Sequence, residues 1–202
     1  MKKAFLLVTI LFVSVISTAC INNFAVQELN NKAKTYLDKG DFENAISRLK
    51  SSVDLDSTIF ETHYNLGIAY TQAEKFPEAV ETFTSAIKLK PEFADTFYSL
   101  GVAQENYAKG IVDGSIKNKK TDDEINGETE KVKDLEEEAK PVKLTKEDKA
   151  KIVELFNNSI TSYETYLEKG KEITDKEEVK KKIEYLKEQV KKYSGEKTKT
   201  AE

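Results

Sequence analysis

The chain has 202 residues, a formal net charge of -4, 34% charged residues and only 3 prolines. So much charge with so few turn residues argues against a β-sandwich and favours helices. A lone cysteine, Cys20, excludes a disulfide framework and a cysteine-based zinc site. A lone arginine, Arg48, in an acidic chain argues against sequence-specific nucleic-acid binding.

The first predicted element is a leader. After Met1-Lys2-Lys3, residues Ala4 to Ile16 carry no charge, with Thr9 and Ser14 the polar exceptions. A helix of that length spans roughly 20 Å, short of the ~30 Å hydrocarbon core, so the stretch reads as the apolar region of a signal peptide. Ser17-Thr18-Ala19-Cys20 follows. This junction resembles a bacterial lipoprotein signal, which ends in a small residue and then an obligatory cysteine. It departs from the commonest pattern at Ser17, where leucine is usual. The resemblance implies cleavage after residue 19 and a covalent lipid on Cys20, with 20–27 as lipidated terminus and spacer. Cys20-Ile21-Asn22 lacks an aspartate after the cysteine, which implies the outer membrane, facing the periplasm, in a two-membrane host. The alternative is ordinary secretion with cleavage after Ala19.

The chain then repeats itself at an offset of 34 residues. Tyr36, Phe42, Ala45, Leu49, Val53 and Leu55 recur as Tyr70, Phe76, Ala79, Phe83, Ile87 and Leu89. "HYNLGIA" at 63–69 recurs as "FYSLGVA" at 97–103. This spacing resembles the tetratricopeptide repeat (TPR) family. Leu66, Gly67, Tyr70, Ala79, Phe83, Ala86 and Pro91 stand at the family's marked positions, and His63 takes the aromatic one. Gly67 and Ala79 mark a close approach of two helices, and Phe83 and Tyr70 fill the space between repeats. The first repeat, 26–59, is more divergent, with Lys32 where leucine is usual. The third begins well at Phe97, Leu100 and Gly101 and then stops.

Residues 28–109 are therefore expected to hold repeats 1 and 2 and the first helix of repeat 3. Residues 110–144, with few apolar side chains, are expected to be a charged insertion, mobile or loosely helical. Thr145 and Asp148 signal a helix start. Over 145–169, "SITSYETYL" aligns with "AVETFTSAI", setting Ser159 over Ala79 and Tyr163 over Phe83, as the displaced second helix of repeat 3. Thr174 and Glu177 frame a last helix, 174–193, whose stripe of Val179, Ile183, Leu186, Val190 and Tyr193 either caps the last repeat or forms a dimer seam. Residues 194–202 are a tail. The expected fold is all-α, a short right-handed α-solenoid of about three hairpins with a C-terminal capping helix.

Catalytic patterns are missing from the sequence. The one histidine, His63, occupies a packing position, and neither HExxH, GxxxxGK, GxSxG nor GxGxxG occurs. "DDEINGETE" at 122–130 lacks a calcium loop's ligand spacing. No enzyme activity, metal or cofactor is expected beyond the lipid on Cys20. Function then falls to the groove that the family resemblance implies along the first helices. That resemblance nominates Asn30, Lys34 and Leu37, then Tyr64, Asn65, Ile68 and Thr71, then Tyr98, Val102 and Glu105. Asn30, Lys34 and Asn65 resemble half of the family's carboxylate clamp, but Tyr98 and Val102 supply no basic half. Tyr64, Ile68, Tyr98 and Val102 imply an apolar strip for a protein or peptide partner. The expected role is an envelope scaffold or adaptor. Alternatives are an accessory ligand-binding subunit of a transporter and a lipoprotein that self-assembles through the 179–193 stripe.

Overall fold

The computed structural model describes residues 23–116 and 143–195. The leader, the Cys20 anchor, most of the 110–144 insertion and nearly all of the tail lie outside the described residues. Every regular element within them is helical: α1 over 23–38, α2 Phe42–Leu55, α3 Phe60–Gln72, α4 Phe76–Leu89, α5 Ala94–Asp113, α6 Lys146–Lys169 and α7 Lys176–Ser194. The chain forms two compact units, Met1–Leu100 and Gly101–Glu202, with the boundary inside α5.

In the first unit the 34-residue register holds down to single hydrogen bonds. The α1–α2 turn has Gly40 at φ 73°, and the α3–α4 turn has Glu74 at φ 57°. Gly40 N–H donates to Leu37 O at 3.0 Å, as Glu74 N–H does to Thr71 O at 3.1 Å. Asp41 N–H donates to Tyr36 O and Lys75 N–H to Tyr70 O, both at 2.9 Å. The left-handed residue satisfies the last carbonyls of the first helix while reversing the chain. Asp41 then caps α2 by accepting from the Asn44 N–H, and Pro77 sits in the first turn of α4, where its missing N–H removes no helical bond.

Between these turns the cores interlock. Ala33, Ala45, Leu49, Leu66 and Ala69 are buried together, with Tyr36, Leu37 and Val53 against them. Gly67 lies under the Phe83 ring, and a Cβ there would meet ring carbons at 2.6–2.8 Å. Lys32 is exposed and pairs with Glu28, as expected for a divergent end repeat. The seam from α1 to α3 also carries a polar cluster. Asn30 Nδ2 has Ser52 Oγ (2.9 Å), Thr62 Oγ1 (3.0 Å) and Val26 O (2.9 Å) within hydrogen-bond distance, and its two N–H groups are shared among them.

In the second unit Gly101 lies under Tyr163, where a Cβ would sit 2.9–3.1 Å from the ring. The hairpin is longer here. The position matching Gly40 and Glu74 is Ala108, which is helical and buried, and α5 runs to Asp113, past the expected end of repeat 3's first helix at 109. Ile111, Ile152, Leu155 and Phe156 give the extra turns a buried apolar side. Thr145 and Asp148 close a reciprocal capping box: Asp148 N–H donates to Thr145 Oγ1 (3.0 Å) and Thr145 N–H to Asp148 Oδ2 (2.9 Å).

The last helix packs along α6. Its Val179, Ile183 and Leu186 are buried, and Tyr193 meets Phe156 with ring centres 6.3 Å apart. Its start differs from the Thr174 reading. Asp175 stands at the N-cap, and its carboxylate accepts from the Tyr166 hydroxyl (3.2 Å) instead of capping the helix.

Candidate functional site

Of the nominated groove residues Leu37 packs against the core of the first unit, and the others fall into three environments. Lys34 is exposed, while Asn65, Ile68, Tyr98 and Val102 are half-buried on α3 and α5. Thr71 is half-buried and turns its hydroxyl back to Gly67 O (2.9 Å). Asn30, Tyr64 and Glu105 are engaged inside the fold.

Asn30 spends its amide N–H groups on the α1–α3 seam, so it ties helices together. Tyr64 belongs to an aromatic cluster. It stacks on Phe60 (5.8 Å) and meets Phe83 (6.0 Å) and Phe93 (5.6 Å) edge-on. Phe60 and Phe93 complete the cluster at 5.2 Å, and Lys90 Nζ sits over both rings at 5.0 and 5.3 Å. Such pairs add about 0.5–1.5 kcal/mol each beyond area burial, which makes Tyr64 a core residue with one exposed edge.

Glu105 departs furthest from the groove reading. It is 5% exposed. Its carboxylate accepts from the Tyr163 hydroxyl (2.9 Å) and pairs with Lys109 (2.6 Å), with Lys182 of α7 at 3.7 Å. Next to it Gln104 Oε1 accepts from Ser162 (2.8 Å), and Gly101 O accepts from Ser159 (2.8 Å). A buried carboxylate needs such partners to offset its lost hydration. This network joins α5, α6 and α7 and leaves Glu105 no part in a groove. The alternation of polar and apolar residues along α5 could not reveal it, because Ser159, Ser162 and Tyr163 are 58 residues away.

Other possible centres are modest. His63 Nε2 lies 2.9 Å from Ser57 O at the mouth of a cleft of about 260 Å³ between α2, α3 and α4. Burial pushes the Tyr70 phenol in that cleft above its ordinary pKa, and the hydrogen bond to Glu43 (2.8 Å) raises Lys75. Among the described residues no group of three His, Cys, Asp or Glu could hold a metal ion, and no helix is long and apolar enough to cross a membrane.

This geometry, with small residues under rings in hairpins of fixed spacing, defines a helix-hairpin repeat protein. Two family models agree on the kind: one described as tetratricopeptide repeat matches residues 60–93, and one described as TPR repeat matches 33–73. Together the two models cover residues 33–93, which are similar to tetratricopeptide repeats. Among solved structures, the first TPR of Spaghetti (RPAP3), bound to the HSP90 peptide SRMEEVD, is 14% identical, with 82% of this chain and 92% of that chain covered at TM-score 0.54. The second TPR domain of human RPAP3, in complex with the HSP70 peptide SGPTIEEVD, is 15% identical, with 81% and 98% covered at TM-score 0.55. These likenesses show the fold, an all-α arrangement of TPR-type hairpins with a terminal helix. No curated protein matches the chain.

Proposed function

We propose that the chain is an exported protein, acylated on Cys20 and held to a bacterial membrane, that works as a protein-interaction adaptor in the cell envelope. The observation that carries the adaptor reading is the first unit's surface: Lys34, Asn65 and Ile68 stand exposed or half-exposed on first helices whose other faces are committed to packing. The RPAP3 domains named above carry peptides in the same fold, which supports a peptide-like partner. Their peptides end in acidic residues, whereas Asn30 here is bonded inside the fold and α5 opens with Asp95. A partner with apolar anchors fits Ile68 and Tyr98 better than an acidic C-terminus does. The anchor reading rests on the order of basic start, short apolar run, small residues and Cys20.

A photo-crosslinking residue at position 68 tests the adaptor. The expected result is one discrete envelope protein trapped in living cells, reduced by Lys34→Glu; uniform or absent crosslinking would exclude this face. Tyr64 is unsuited to that role, since its loss would open the aromatic cluster. A clickable palmitate analogue tests the anchor: label on the wild type that disappears in Cys20→Ser is expected, and an unlabelled wild type would remove it.

A further inference from the structure

Four large hydrophobic side chains are markedly exposed among the described residues: Phe24 (69%), Leu55 (42%), Leu89 (39%) and Tyr185 (45%). The first three belong to the first unit and stand at one end of it. Phe24 is in the first turn of α1, while Leu55 and Leu89 are the last residues of α2 and α4. Asn30, midway along α1, bonds to Ser52 and Thr62, so the N-terminal half of α1 runs past the end of α2 and the start of α3 and carries Phe24 to the same end, about 9 Å further along the helix. Phe60 against Phe93 brings the end of α4 to the same place. Cys20 is three residues ahead of this end, a reach of about 10 Å even when fully extended. Val26 is already buried, so the folded core begins six residues after Cys20, inside the stretch 20–27 expected to be a spacer.

We infer that this apolar end of the first unit docks onto the lipid surface, with Phe24, Leu55 and Leu89 entering the headgroup layer. This rests on the acylation of Cys20 proposed above. The layer is roughly 5–8 Å deep on each side of the hydrocarbon core, comparable to one large side chain, and aromatic residues favour it. Lys88 and Lys90 flank Leu89 while Asp56 and Glu92 lie close by in sequence, so the charge there is mixed. The attraction is therefore apolar, and docking does not depend on anionic lipid or on low salt. The first unit is held in a fixed attitude, with its turn at Gly40 directed away from the membrane.

The chain contains no tryptophan, so a single introduced one reports its own surroundings. The mature lipidated protein, purified from membranes and reconstituted in phosphatidylcholine vesicles, is compared as Phe24→Trp, Leu89→Trp and Lys39→Trp. Lys39 is exposed at the far end of α1, about 22 Å along the helix from Phe24. Expected are a blue shift and strong quenching by lipids brominated near the headgroup for positions 24 and 89, and neither at 39, unchanged by adding phosphatidylglycerol or salt. Position 89 decides, because a tether alone brings position 24 close. Protein that floats with vesicles while Leu89→Trp emits as in water would overturn docking and leave the anchor intact. Protein that fails to float would overturn both.

Discussion

The hairpins α3–α4 and α5–α6 make the same central contact by different chemistry. In the first, a glycine lies under a phenylalanine in an apolar setting that a short turn closes. In the second, Gly101 lies under a tyrosine whose hydroxyl is bonded to buried Glu105, and the turn is replaced by longer helices. Repeat geometry therefore tolerates polar groups beneath the ring where they bond to one another, as Ser159 does to Gly101 O, Ser162 to Gln104 and Tyr163 to Glu105. The two hairpins also differ in what they can lose: removing the hydroxyl of Tyr163 takes one donor from a buried carboxylate and leaves it to Lys109 and Lys182, while nothing comparable exists at Phe83.

The largest effect that would sharpen this contrast is Phe83→Ala, expected to lower stability by about 3–5 kcal/mol in urea denaturation followed by circular dichroism. Tyr163→Phe keeps the ring and removes only the hydroxyl, yet should cost about 1–3 kcal/mol because Glu105 loses a donor while buried. A neutral Tyr163→Phe would erase the distinction between the hairpins. The seams give a third comparison. Thr62 and Thr96 are 34 residues apart and both fully buried, but Thr62 joins the Asn30 cluster while Thr96 Oγ1 has no partner. Thr62→Val should therefore cost about 1–3 kcal/mol, whereas Thr96→Val should be neutral or stabilising. The turns give the smallest effect and a change of sign. Glu74→Gly relieves a left-handed φ and should stabilise by less than about 1 kcal/mol, while Gly40→Ala should destabilise by about 1–2 kcal/mol. Matching thermal midpoints for the two turn variants would contradict the shared register.

The register itself was legible from the sequence, because Gly67, Ala79 and Phe83 are chosen by close approach and no other residue types serve as well. The Gly101–Tyr163 contact was legible too, since "SITSYETYL" preserves the spacing of "AVETFTSAI". The extended α5 was harder to see. Its signal was Ala108-Lys109 where the earlier turns read Gly40-Asp41 and Glu74-Lys75, with Ile111 continuing the apolar stripe. The site residues were the least legible. Asn30, Tyr64 and Glu105 occupy positions that a repeat alignment assigns to a groove, but each is decided by a neighbour on another helix. Polarity along one helix cannot show whether a carboxylate meets water or a tyrosine from a segment far along the chain.

Asn30 also governs how force would travel. A pull arriving from the residues ahead of α1 enters the fold within that helix's first two turns. There the Asn30 amide grips α2 through Ser52 and α3 through Thr62. The first helix cannot peel away alone, since moving it breaks bonds to two other helices at once. Mechanical load is thus shared with the second repeat, the best-formed part of the chain, and the divergent end repeat becomes the coupling through which the protein would feel tension on its N-terminus.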